Sequence, residues 1–120
     1  MQVNVVRVAD SLVECDSPAG RLVGIWRSGT LPVVGQVHDV ELDLLGRLEW
    51  GSHVDLDDRI EGIHGSDVVG RVEGVDGECV TIRVAGAVVL LGVLGDPPLA
   101  VVGKRVAVTP AGLALYPTGV

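Results

Sequence analysis

The sequence predicts an all-β protein: two tandem, structurally similar small antiparallel β-barrel units packed into one compact body. Three observations carry this. Valine dominates an apolar fraction of 48%, and β-branched side chains pack well on a pleated strand. Seventeen glycines and six prolines cut the chain every few residues, so no stretch keeps a capped 3.6-residue apolar period and little helix is expected. The chain also matches itself. At an offset of 68, Leu22-Val-Gly-Ile-Trp26 and Leu31-Pro-Val-Val-Gly35 fall on Leu90-Leu-Gly-Val-Leu94 and Leu99-Ala-Val-Val-Gly103. At an offset of 67, Val8–Val13 falls on Val75–Val80, and one inserted residue in a hairpin accounts for the change.

Each copy reads in the same order. A first strand (Val3–Val8; Asp67–Val75) turns into a second (Leu12–Cys15; Cys79–Val84), and a third follows (Arg21–Trp26; Ala87–Leu94). A Gly/Pro-rich connection leads to the Val-Val-Gly corner. This opens a fourth strand (Val37–Leu44; Arg105–Thr109) and a short last one (Gly46–Trp50; Leu113–Tyr116). Short strands at this spacing, separated by turn signals, argue a barrel or sandwich. The fourth strand of the first copy alternates: His38, Val40, Leu42 and Leu44 share one face, and Asp39, Glu41 and Asp43 the other. The copies thus occupy residues 1–50 and 67–120. Residues 51–66 form a connector in which Val54, Leu56, Ile60 and Ile63 are spaced as though packed. One helical turn is expected over Asp57–Ile63.

The bulk properties bound the function. A net charge of −7, with no acidic tail, disfavours nonspecific nucleic-acid binding, which needs cations to displace counterions from phosphates. It suits solubility and a basic partner. One lysine against eight arginines reads as the compositional habit of a GC-rich bacterial genome. The longest apolar run, Val84–Gly95, is twelve residues, against roughly 20 for a spanning helix, and no signal-peptide pattern opens the chain. The expected location is cytoplasmic, with Cys15 and Cys79 as reduced thiols.

The second copy resembles the TOBE/MOP group of OB-like barrels. Val69-Gly-Arg-Val-Glu73, Val80-Thr-Ile-Arg-Val84, Gly95-Asp-Pro-Pro-Leu99, Val102-Gly-Lys-Arg-Val-Ala-Val108 and Leu113-Ala-Leu-Tyr-Pro117 carry the likeness over residues 69–117. A looser form runs through residues 3–50. The resemblance implies small barrels that bind molybdate-like oxyanions or small ligands, or that serve as regulatory appendages of transporter ATPases. The chain departs from the oxyanion binders in lacking their Ser/Ala-Arg-Asn-type opening, and it has no phosphate-binding Gly-x-x-x-x-Gly-Lys-Ser/Thr loop.

No constellation points to catalysis, and no cofactor is implied. The connector residues His53, Asp55, Asp57, Asp58, Glu61 and His64 lack the spacing that anchors a metal site; they read as a solvated acidic segment. Trp26 and Trp50 occur in the first copy only, each ending a strand beside a turn. Tryptophan and arginine are typical anchors of binding surfaces, although a barrel without phenylalanine also needs a large filler. The expected partner surface is therefore Trp26, Arg27 and Trp50 with the acidic face of Asp39, Glu41 and Asp43. Its expected occupant is a basic protein, in an immunity-like or regulator-like role, or a second copy of the chain. A small-ligand or oxyanion binder is the alternative. Neither a nucleic acid nor a membrane is an expected partner.

Overall fold

The computed structural model describes residues 1–118, and these contain no helix. The strands are β1 (Gln2–Ala9), β2 (Leu12–Ser17), β3 (Gly20–Trp26), β4 (Val37–Leu45), β5 (Leu48–Glu49), β6 (Val54–Leu56), β7 (Gly62–His64), β8 (Asp67–Asp76), β9 (Cys79–Val84), β10 (Ala87–Leu94), β11 (Arg105–Val108) and β12 (Gly112–Pro117). They build two small barrels. The first is closed in the order β1-β2-β3-β12-β4. The second runs β5-β10-β9-β8-β11-β6, with β7 also on β8, and a bridge between Trp50 and Val54 nearly closes it. One continuous, largely aliphatic core fills both, inside a body of 44 × 25 × 24 Å.

Each barrel takes its last wall from the other copy. β12, at the end of the second copy, lies in the first barrel, parallel to β3 (Ala114 with Ile25, Leu115 with Trp26) and antiparallel to β4. The first copy's end and the start of the connector fill the matching slot of the second barrel. There β5 runs parallel to β10 (Leu48 with Val93) and β6 antiparallel to β11. A parallel pair cannot be closed by a hairpin, and exchange supplies the long connection it needs. Gly24 makes room for β12, since a Cβ there would lie 3.0 Å from the Leu113 carbonyl oxygen. Leu115, wholly buried, plugs the first barrel as Leu48 plugs the second.

The backbone repeats itself closely, and it moves the point where the offset changes. Trp26 N–H donates to Ser11 O, and Val93 N–H donates to Glu78 O, both at 2.8 Å. A bulge falls between Val5 and Arg7 in β1 and between Val72 and Gly74 in β8. The β2–β3 and β9–β10 hairpins also share one register at offset 67. Trp26 therefore corresponds to Val93, and Leu22 to Val89. The match of Leu22 with Leu90 is one residue out of phase: Leu22 is 2% exposed and Leu90 64%. Offset 68 begins only at the corner, where Gly35 N–H donates to Val5 O and Gly103 N–H to Val72 O. The inserted residue thus lies after β3, in the Gly/Pro-rich connection, and not in the hairpin before it.

The connector is also built differently from the expectation. It has no helical turn over Asp57–Ile63. The Asp57 carboxylate accepts the Arg59 N–H at 2.8 Å, which bends the chain as an Asx turn does. Gly62 then takes a φ of +149°, and β7 pairs with β8. β6 and β7 make this segment part of the second barrel, and Ile63 N–H donates to Ala19 O at 2.7 Å across to the first.

Candidate functional site

The loop from Arg27 to Gln36 closes one end of the first barrel and shapes a groove of about 570 Å³. It is lined by Trp26, Leu31, Val33, Val37, His38 and Asp39, among others. The loop is pinned at both ends. The indole N–H of Trp26 donates to Thr30 O at 3.2 Å. The Gln36 amide oxygen accepts from Val33 N–H at 2.9 Å and faces His38 Nε2 at 3.0 Å. The His38 ring also packs edge-on against Trp26, with centroids 5.1 Å apart. The groove is therefore preformed. Its walls expose apolar surface: Val33 is 61% and Val37 52% accessible.

Beside the groove, Asp39, Glu41 and Asp43 stand exposed along the outer face of β4, while Val40, Leu42 and Leu44 point inward. Most other acids in the strands have partners: Glu14 and Asp16 face Arg21, Glu49 faces Arg47, and Glu73 faces Arg83. The three β4 carboxylates have no ion pair among the described residues. Tyr116 lies opposite Glu41 on β12 and is 41% exposed.

The surface expected from sequence is thus divided. Asp39, Glu41 and Asp43 lie together on one face, and Arg27 is exposed at the start of the groove loop. Trp26 is not an exposed anchor: it is 4% exposed and belongs to the core, with only its edge at the groove floor. Trp50 belongs to the second barrel's wall, where its backbone N–H donates to Leu94 O at 2.9 Å, and it does not line the groove. Its indole nitrogen is buried without a hydrogen-bond partner. Sequence reasoning missed Leu31, Val33 and Val37. For Leu31 and Val33 the available signal was their place in a Gly/Pro-rich loop, where apolar side chains have no strand face to carry them inward; Val37 opens β4 on the outward parity of Asp39 and Glu41.

Several other titratable groups are engaged structurally. Cys15 is buried, and burial, aided by the neighbouring Asp16 and Glu14, pushes its thiol up to about 11, so it is no nucleophile at neutral pH. His53 Nδ1 accepts from Glu49 N–H at 3.1 Å, and His64 Nε2 donates to Ile60 O at 2.7 Å. Arg59 clasps Asp57 and Asp67, while Thr109 donates to Asp67 at 2.7 Å. Hydrogen bonds from Arg59 hold the Asp57 carboxyl at about 2. Those from Thr109 and Arg59 lower Asp67. None of the family models, curated proteins or solved structures compared with the chain matches it.

Proposed function

We propose that this chain is a non-catalytic binding protein that engages a basic protein partner through the groove and acidic strand of the first barrel. The observation that carries this is a divergence between the copies. At offset 68, Asp39, Glu41 and Asp43 correspond to Ala107, Thr109 and Ala111. Only Ala107 of these lies on a strand, since β11 ends at Val108; the second barrel's equivalent strand is shorter and carries no carboxylate, so the acidic face is not a requirement of the fold. Three unpaired acids beside a preformed apolar groove suit a segment with Lys or Arg next to one apolar side chain. The acids steer and orient, and the anchor in the groove supplies most of the affinity.

Panning a random peptide library on the protein tests this. Enriched peptides are expected to pair basic residues with an aliphatic or aromatic anchor. Their binding should weaken in high salt and be lost in Val37→Glu and in the double variant Asp39→Lys, Glu41→Lys. Neutral or acidic enriched peptides, or binding indifferent to these variants, would refute the reading.

A further inference from the structure

The second barrel carries the opposite divergence. Arg71 on β8 and Arg105 on β11 are register partners, and the corresponding pair in the first barrel is Asn4 with Val37. Lys104, the only lysine of the chain, accepts Val72 N–H at its carbonyl as Gln36 accepts Val5 N–H. Three neutral positions of the first copy are therefore cations in the second. All three line one open cleft of about 830 Å³, together with Asp57, Asp58 and Glu61.

Two guanidiniums directly opposite each other on neighbouring strands repel, and their pairing does little to relieve this. Arg71 reaches Glu61 only at 3.8 Å. Arg105 donates to the Arg59 carbonyl oxygen at 3.0 Å, and neither Arg105 nor Lys104 forms an ion pair among the described residues. Arg105 thus holds the connector only at a backbone carbonyl, and none of the three cations pairs with Asp58 among the described residues. Glu61 Oε1 is buried with no hydrogen-bond partner.

We infer that this cleft is a second binding site, for a small phosphate monoester whose body bears hydroxyl or amino groups. Arginine pairs suit phosphoryl oxygens in geometry and charge. Asp57, which also lines the cleft, is paired with Arg59, and three cations gathered at one wall match a group of charge about −2 better than a monocarboxylate. Asp58 and Glu61 then accept from the hydroxyl or amino groups of the body. The volume is that of a site for one small molecule.

The test is thermal shift and calorimetry on the full chain with glucosamine 6-phosphate, glucose 6-phosphate, gluconate, inorganic phosphate and sulfate. The sugar phosphates are expected to stabilise the protein and to bind about tenfold or more tighter than phosphate, sulfate or gluconate. The triple variant Arg71→Asn, Lys104→Gln, Arg105→Val installs the first copy's own residues. It should fold with unchanged or raised stability and bind roughly ten- to hundred-fold more weakly. Glu61→Gln should erode the preference for sugar phosphates over inorganic phosphate. No stabilisation at millimolar probe, equal binding of all five, or a triple variant that is less stable without ligand would overturn the inference. None of these outcomes touches the first-barrel groove, which peptide panning tests separately.

Discussion

Trp26 fills the end of the first barrel at a position where the second barrel has Val93. The larger residue occupies the extra space under the groove loop, and its N–H fixes that loop through Thr30. Trp26→Ala should therefore destabilise the protein by roughly 3–5 kcal/mol, measured by urea unfolding, and not simply weaken binding. The Arg59 clasp makes a pH prediction. Asp57 titrates at about 2 folded against an ordinary 3.8, and Asp67 is shifted the same way. A depressed carboxyl contributes stability above its unfolded value and loses it as pH falls through the folded one. The stability difference between the native chain and Arg59→Gln should thus shrink as pH falls from about 4 to about 2. A difference unchanged over that window would mean that the clasp is not coupled to folding. At this scale the acidic face was legible, because Asp39, Glu41 and Asp43 alternate with Val40, Leu42 and Leu44. The place of Trp26 was not, because a tryptophan closing a strand satisfies core and surface patterns equally.

Among the elements, the long strands could be read directly because turns and glycines bracket them. β6 and β7 could not. Each has three residues, too few to show a period, and each is held by pairing with a distant strand. Gly62 marks where β7 meets the first barrel. A Cβ there would sit 2.8 Å from Ala19 O, at a φ that side chains rarely adopt. Gly62→Ala should cost roughly 1–3 kcal/mol. Gly74→Ala, where nothing lies within 4 Å and φ is ordinary, should be close to neutral. Equal effects in calorimetry would mean that the two barrels do not meet at Gly62. The hairpin register was misjudged by one residue for a related reason. In so valine-rich a chain, apolar matches recur at neighbouring offsets, and only burial and hydrogen bonding separate them.

For the molecule as a whole, duplication leaves the fold symmetric and the chemistry asymmetric. One barrel has an acidic face beside an apolar groove, and the other has a cationic cleft. Both proposed sites lie where the copies differ, on backbones that are alike. Exchange of the last walls makes each barrel dependent on both copies, and the first barrel on both β1 and β12. Nothing in the sequence discloses it, because a strand's neighbour across a parallel pair is set by tertiary packing and not by local pattern. The direct measurement is cross-strand nuclear Overhauser contacts in the labelled protein. Exchange predicts contacts between Ile25–Trp26 and Ala114–Leu115, and between Val93–Leu94 and Leu48–Glu49. Contacts from Ile25–Trp26 to Leu48–Glu49, with Val93–Leu94 against Ala114–Leu115, would instead describe two self-contained barrels and contradict it.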